Sequence, residues 1–138
     1  MKLTTRGTYS TRLMMDLAVN YGKGLVLLKD ISKSQEISLK YLAQLIIPLR
    51  IAGLIRSSRG AHGGYCLSRA PKDIKLSEII IAVEGPFYLV ECVNYPDICN
   101  RSKSCVAREI WTEIGEKFLD ILSSYNLQQL TERRIEKH

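Results

Sequence analysis

A glycine-rich loop at residues 59–64 lies between two short apolar stretches, and this arrangement constrains the fold more than any other feature of the sequence. The stretches cover residues 54–58 and 65–68, which is the length of short strands. Two such stretches around a glycine-rich turn are typical of a β-hairpin. The sequence therefore predicts one small hairpin near the middle of the chain.

Helical periodicity surrounds the predicted hairpin on both sides. The helical segments are, in chain order, residues 8–21, 30–36, 38–53, 77–84 and 106–125. Ser38 is a candidate N-cap for the third of them. A helix, a short helix, a turn, a helix and then a hairpin is the order of a winged helix-turn-helix. We therefore expect a mainly α fold with a small β-hairpin wing.

With 138 residues the chain is the size of one domain. We expect a winged helix-turn-helix DNA-binding domain over residues 1–85, a loop over 86–105, and a long C-terminal helix with a tail over 106–138. The polar residues 131–138 are expected to fray. No apolar run approaches the length of a membrane span and the N-terminus lacks a secretory signal, so a cytoplasmic protein that meets no membrane is expected.

Basic residues are concentrated in the first half of the chain. Residues 1–75 carry 13 basic and 4 acidic side chains, a net charge of +9, whereas residues 76–138 carry 7 and 10, a net charge of −3. A basic front half favours a polyanionic partner, although an unevenly charged solvated surface explains the same numbers.

The second helix of a helix-turn-helix can enter the major groove and present its outward side chains to base edges. Here the outward residues are Ser38, Lys40, Tyr41 and Gln44. Glutamine can read adenine through two hydrogen bonds and serine can donate or accept one, whereas Ala43 at most touches a thymine methyl. We expect this helix to contact the bases of a double-stranded DNA operator.

The predicted wing places Arg59 on a thin tip with few side chains. A guanidinium on such a tip can enter a narrow minor groove, where the negative potential attracts arginine. The glycines taken alone are also explained by an ordinary tight turn. The remaining candidates for the wing and for phosphate contacts are Gly60, His62, Gly63 and Gly64, with Lys2, Thr4, Arg6, Arg50 and Arg56.

Three of the four cysteines, Cys92, Cys99 and Cys105, lie within 14 consecutive residues. In a chain expected to be cytoplasmic, such a group indicates metal binding or redox chemistry rather than a structural disulfide. The spacing lacks the Cys-x2-Cys pairs of common zinc sites. An iron–sulfur cluster with a fourth, non-cysteine ligand, a zinc site, and three unrelated thiols all stay open. Cys66, in an apolar stretch, is expected to be a buried small hydrophobic residue.

The sequence resembles the IscR-type family of bacterial winged-helix regulators. The matching segments are residues 2–9, 37–45, 49–55, 59–65 and 77–85, which read KLTTRGTY, ISLKYLAQL, LRIAGLI, RGAHGGY and SEIIIAVEG, and the resemblance covers residues 1–130. It implies a homodimer held by the long C-terminal helix. It also implies a 2Fe–2S cluster on the three cysteines that controls DNA affinity, iron–sulfur assembly genes as targets and assembly proteins as cluster donors.

One departure concerns the fourth cluster ligand. Several members place a histidine where this chain has Arg108, which offers no lone pair. Other members borrow an acidic residue from the partner's N-terminus, and residues 1–15 contain none. Glu109 is a candidate, because it follows Cys105 by four helical positions. Asp97 and Glu91 are alternatives.

Two other functions compete with this interpretation of the sequence. A thiol switch or a nitric-oxide-responsive regulator on the same fold would use the cysteines directly. An iron–sulfur enzyme or electron carrier is disfavoured, because the chain lacks a Ser-His-Asp set, a phosphate loop and paired carboxylates. The long apolar stripe through Ile110, Ile114, Phe118, Ile121 and Tyr125 predicts a homodimer. The alternative is that this helix folds back on its own domain.

Overall fold

The computed structural model describes residues 3–60 and 63–137. Lys2 and His62, two of the predicted DNA contacts, lie outside the described residues. The helices and strands are, in chain order, α1 (Thr5–Val19), α2 (Leu28–Gln35), α3 (Leu39–Ile51), β1 (Ile55–Ser58), β2 (Gly64–Leu67), α4 (Leu76–Glu84), α5 (Glu91–Asn94), α6 (Val106–Ser124) and α7 (Leu127–Lys137). The predicted fold class is confirmed: over the described residues the chain is mainly helical, with one two-stranded hairpin.

The turn between α2 and α3 has clear local causes. Glu36 ends α2 in the left-handed conformation, with φ of 55°. Ser38 caps α3 as predicted, since its Oγ accepts a hydrogen bond from the backbone N–H of Tyr41 at 3.1 Å. The two helices are therefore joined by only three residues, the connection of a helix-turn-helix.

The hairpin pairs β1 with β2 in antiparallel register, with Ile55 opposite Leu67 and Ser58 opposite Gly64. The chain before α2 extends it, because Val26 and Tyr65 exchange two backbone hydrogen bonds of 2.8 Å each. The wing is thus fastened to the helices at its base.

A single apolar core lies among α1, α2, α3, α4, the base of the hairpin and α7, which together we call the head. Leu13, Leu42, Leu49 and Ile79 are fully buried in it. Each faces inward because its helix repeats apolar residues every three or four positions.

The prediction that residues 131–138 fray is wrong for the described part, since α7 continues to Lys137 and packs on α1. Leu127 is fully buried, and its N–H donates to the Ile74 carbonyl at 2.8 Å. Arg134 forms an ion pair with Asp16 of α1. These contacts with residues far away in the sequence hold α7 on the head, although its polar sequence predicts a frayed C-terminus.

Residues 86–105, which we call the cysteine region, contain the short helix α5 and a 3-10 turn at Pro96–Ile98. The region leads into α6, which packs on α4 and α5. In the described part of the chain, none of the helices has the length and apolar content needed to cross a bilayer.

Candidate nucleic-acid interface and cysteine region

The outward face of α3 is set by its buried face. Leu42, Leu45, Ile46 and Leu49 point into the core, so the residues between them must face solvent. Three of the predicted base contacts, Ser38, Lys40 and Gln44, are exposed there. Their amide, hydroxyl and ammonium groups are available to base edges or phosphates.

Tyr41, the fourth predicted base contact, is only half-buried and turns towards α1. Its ring packs edge-on against Tyr9 with centroids 5.7 Å apart, and its hydroxyl lies 3.2 Å from Thr5 Oγ1. The ring therefore helps to hold α3 on α1, and the hydroxyl lies at the edge of the outward face of α3.

At the wing tip, Arg59 and Gly60 are exposed, and Gly60 has a φ of 108°. Gly63 and Gly64 are needed for packing. A Cβ on Gly63 would lie 2.7 Å from the Ser58 carbonyl oxygen, and one on Gly64 would lie 2.7 Å from that of Val26. The glycines at 63 and 64 thus have a structural reason, whereas Arg59 lies exposed directly after β1.

The predicted phosphate contacts differ in what they already touch. Arg50 Nη1 donates to Ser57 Oγ at 3.3 Å, so an exposed guanidinium links α3 to the wing. Arg56 Nη2 donates to the Ser68 carbonyl at 2.9 Å. Thr4 caps α1, and both its backbone N–H and its hydroxyl donate to the Glu84 carboxylate. Arg6 is exposed in the first turn of α1.

The sequence segment that contains α3 and the wing carries charges of one sign. Residues 37–72 contain no aspartate or glutamate and carry six lysines and arginines. A surface of this kind favours phosphate groups through counterion release and direct Coulomb attraction.

The cysteines lie apart from this surface. Cys92 is half-buried on α5, Cys99 is exposed after the 3-10 turn, and Cys105 is half-buried at the N-cap of α6. Cys66 is half-buried on β2, so the prediction that it is buried is wrong. Because the sheet has only two strands in the described part of the chain, Cys66 on β2 keeps part of its surface exposed to solvent.

Within residues 3–60 and 63–137, no three side chains among histidine, cysteine, aspartate and glutamate lie close enough together to hold a metal ion. Arg108 connects the cysteine region to α6, since its Nε donates to the Cys92 carbonyl at 3.0 Å. Glu109 is exposed in the first turn of α6, and its N–H donates to the Cys105 carbonyl at 3.3 Å.

Two features of the structure were not predicted from the sequence. Ile47 and Ile51 are 58% and 82% exposed on α3, a placement that their spacing from Lys40 and Gln44 could have revealed. The second is the hydrogen bond of 2.8 Å from Gln35 Nε2 to Asp16 Oδ1, which connects the end of α2 to the Asp16–Arg134 pair. No local pattern could have revealed that contact.

The model of the Rrf2 family, described as an iron-dependent transcriptional regulator, matches residues 3–133. The chain belongs to the Rrf2 family. Protein rrf2 of Nitratidesulfovibrio vulgaris is 41% identical over 130 residues, which cover 94% of this chain and 87% of that protein. The HTH-type transcriptional regulator CymR of Bacillus subtilis is 38% identical over 130 residues, covering 94% and 89%.

Two solved structures of Rrf2-type regulators share the fold. CymR, the global cysteine regulator of B. subtilis, superimposes with a TM-score of 0.79 at 37% identity, over 96% of this chain and 98% of that one. IscR of T. potens also has a TM-score of 0.79, at 36% identity, over 100% and 91%. The chain is thus a winged-helix member of a family of transcriptional regulators, and membership of that family implies DNA binding.

Proposed function

We propose that this chain is a DNA-binding repressor whose operator affinity is controlled by a 2Fe–2S cluster on Cys92, Cys99 and Cys105. One observation carries the proposal: a basic helix-turn-helix and wing stand in the same small chain as three thiols that lead into α6. The family's description as iron-dependent supports it. Iron–sulfur assembly genes are the proposed targets, and assembly proteins the proposed cluster donors.

In this proposal α3 reads the major groove. Gln44 offers an amide that can pair with adenine, and Ser38 and Lys40 offer hydrogen-bond donors at the N-terminal end of the helix. Tyr41 contributes its hydroxyl at the rim, beside Thr5. These groups are exposed together because the opposite face of α3 is buried in the head.

The wing and its neighbours fix the head on the DNA backbone. Arg59, with Gly60, Gly63 and Gly64 beside it, enters the minor groove, which only a narrow tip can reach. Arg6, Arg50 and Arg56 contact phosphates, and Thr4 orients the start of α1 through Glu84. Lys2 and His62 are assigned to the same two roles from the sequence alone.

We also propose a homodimer through α6. Phe118 and Ile121 are 49% and 56% exposed, and Ile110 and Trp111 are 45% and 43% exposed, which is unfavourable for apolar side chains in water. An apolar cavity of about 220 Å³ between α4 and α6 is lined by Leu3, Ile80, Phe87, Leu89, Phe118 and Leu122. A second copy covering this face would bring two α3 helices about 34 Å apart, or a multiple of that distance, along the DNA.

The cysteine region fits the proposed cluster in its chemistry. Thiolates are the usual ligands of iron–sulfur clusters, and all three thiols are at least partly exposed. Because they are not gathered around one point, binding must draw Cys92, Cys99 and Cys105 together and order the segment. Glu109 is the proposed fourth ligand, one turn after Cys105 on an exposed side of α6.

The bound cluster would supply an iron-dependent crosslink between the three thiolates. The protein's part is to transmit that order to the head. The cysteine region connects α4, which packs on α1 and α3, with α6, so its order sets how α6 lies on the head. DNA affinity changes only if the ordered and disordered states favour different spacings of the two heads.

A thiol switch on the same fold is the second candidate, and a nitric-oxide response would also act at these cysteines. Cys99 is exposed, so direct oxidation needs no prior assembly of a metal site. The similar CymR is named the global cysteine regulator of its organism. A coloured, iron-containing protein favours the cluster, whereas a colourless protein that still responds to oxidants favours the switch.

The cluster is tested by anaerobic purification with iron, sulfide and visible absorbance measured together. The unchanged chain should contain iron and sulfide in equal amounts, two of each per chain. Replacing Cys92, Cys99 or Cys105 by alanine should abolish the chromophore, and Cys66→Ala is the matched control that should retain it. Loss of the chromophore in the Cys66 variant with retention in the Cys92 variant would contradict the ligand assignment.

The DNA surface is tested by titrating operator DNA at fixed salt. Gln44→Ala should weaken binding by about 1–3 kcal/mol at one base pair, and Arg59→Ala should relax discrimination at the minor-groove steps. Arg133→Ala on α7 is the control that should bind as tightly as the unchanged chain. Equal affinity of all three variants would contradict the assignment of α3 and the wing.

A further inference from the structure

The outward face of α3 is unusually apolar for a helix that faces water. Lys40, Ala43, Gln44, Ile47 and Ile51 recur every three or four residues, and all five are exposed. Ile47 and Ile51 leave 58% and 82% of their surface open. Residues at this spacing share one side of a helix, so the two isoleucines lie beside the polar residues assigned to base contacts.

Packing within the head does not explain these isoleucines. Leu42, Leu45, Ile46 and Leu49 already supply the core face of α3, with at most 3% exposure each. Ile47 lies on the far side, at the middle of the outward face, with Lys40 two turns before it. Large apolar side chains placed together on a surface mark a contact with another molecule.

The basic charge of the segment that contains α3 favours nucleic acid as that molecule. Lys40 and Arg50 flank Ile47 on α3, and residues 37–72 contain no acidic side chain. A polyanion fits this rim better than an apolar protein surface does. The apolar group that the major groove offers to a helix is the 5-methyl group of thymine.

We propose that Ile47 packs against the 5-methyl group of a thymine in each operator half-site and so determines specificity there. The inference rests on the proposed function and deepens it by naming a base that the DNA must contain. Ala43 can also touch a thymine methyl, but its single methyl group buries much less apolar surface than the side chain of Ile47 does. Ile51 is the last residue of α3 and lies two turns beyond Gln44, whereas Ile47 lies only one turn beyond it.

The test uses the full-length chain and DNA duplexes that it selects from a random library, in whichever cluster state binds. Each thymine of the selected half-site is then replaced by uracil, which removes the methyl group and keeps the pairing edge and O4. For the unchanged chain, at least one replacement should weaken binding roughly three- to five-fold, the worth of one buried methyl group. Ile47→Ala should bind the thymine and uracil duplexes equally at that position.

Two further variants keep the result interpretable. Ile135→Ala removes an equally exposed isoleucine, 62% open, from α7 and should retain the full preference for thymine. Ile47→Val removes one methyl group and should retain part of the preference if Ile47→Ala binds too weakly to measure.

The possible outcomes separate this inference from the proposed function. If the chain selects no DNA in either cluster state, the proposed function fails and this inference fails with it. If it selects DNA but tolerates uracil everywhere, or if Ile47→Ala retains the full preference, only the role of Ile47 is overturned. In that case the exposed isoleucines serve a contact with a protein.

Discussion

Leu13 and Leu42 in the head are completely enclosed by their own chain, whereas Phe118 and Ile121 on α6 leave 49% and 56% of their surface open. The head satisfies its apolar side chains through contacts among α1, α3, α4 and α7. Helix α6 also packs on α4 and α5, but Gly115 is its only buried residue, and α5 has none. The difference indicates that the head folds on its own interactions, whereas the proposed cluster and the proposed second copy would supply the contacts that complete the cysteine region and α6.

The largest expected effect comes from truncating a buried side chain in the head and comparing it with an exposed side chain on α6. Leu42→Ala should lower the free energy of unfolding by about 2–5 kcal/mol, because it leaves a cavity in a closed core. Phe118→Ala should cost the isolated subunit less than about 1 kcal/mol and should instead weaken the dimer. Urea unfolding and sedimentation, each measured over a range of protein concentrations, distinguish the two effects. Equal losses of subunit stability would contradict the contrast.

The next effect concerns how α7 is held on the head. The Asp16 carboxylate, with 8% of its side chain exposed, accepts hydrogen bonds from Gln35 and Arg134. Asp16→Asn should lower the unfolding free energy by about 1–3 kcal/mol, because it leaves the Arg134 charge without its partner.

Arg133→Gln is the control for the α7 prediction. This substitution removes a neighbouring guanidinium whose Cζ lies 5.5 Å from the centroid of the Tyr125 ring. It should lower the free energy of unfolding by at most about 1 kcal/mol. A larger loss in the control than in Asp16→Asn would show that α7 is held elsewhere.

The sequence predicts most helices well, but it does not predict that α7 packs on the head. The predicted helices at 38–53 and 106–125 agree with α3 and α6 to within two residues at each end, because apolar periodicity reports buried faces directly. Helix α7 was missed, since its stability depends on Asp16 and Ile74, more than 50 positions away.

The same reasoning explains what could be predicted of the site. Residue types and spacing predict which side chains of α3 face outward, and a single helix suffices for that inference. The turn of Tyr41 towards Tyr9 and the bond from Arg108 to the Cys92 carbonyl join different helices. Such contacts depend on tertiary packing, which periodicity does not encode.

A smaller effect tests how the cysteine region is held. Arg108→Gln removes the guanidinium that donates to the Cys92 carbonyl at 3.0 Å. Global stability should change by less than about 0.5 kcal/mol, as for most surface substitutions. Amide hydrogen exchange over residues 86–105 should become faster, and the cluster chromophore should decay faster in air. Unchanged exchange would show that this hydrogen bond does not order the region.

The smallest effect is a pH dependence within the head. Burial raises the pKa of Glu78, but hydrogen bonds from Arg69 and the Lys75 backbone N–H, with the charges of both residues, outweigh it and lower the pKa below the ordinary glutamate value. A lowered pKa means that the stabilisation is present above about pH 4.3 and is lost as the pH falls through the folded-state value.

Glu78→Gln should therefore remove part of the acid sensitivity of unfolding. Because the pair with Arg69 is largely open to solvent, the difference at pH 7 should stay below about 1 kcal/mol. Thermal unfolding of both proteins from pH 3 to pH 7 checks it. Curves that stay parallel at every pH would contradict the role of the carboxylate.

The proposed function depends most on the coupling between the cysteine region and the DNA surface. The direct measurement is the affinity of one selected operator for the same protein with its cluster and after the cluster is removed, at fixed salt. We expect the two affinities to differ by about 5- to 150-fold, the usual range of coupling between two sites. We also expect Cys92→Ala to bind like the cluster-free form. Equal affinities for a protein shown to have lost its iron and sulfide would contradict the proposed control.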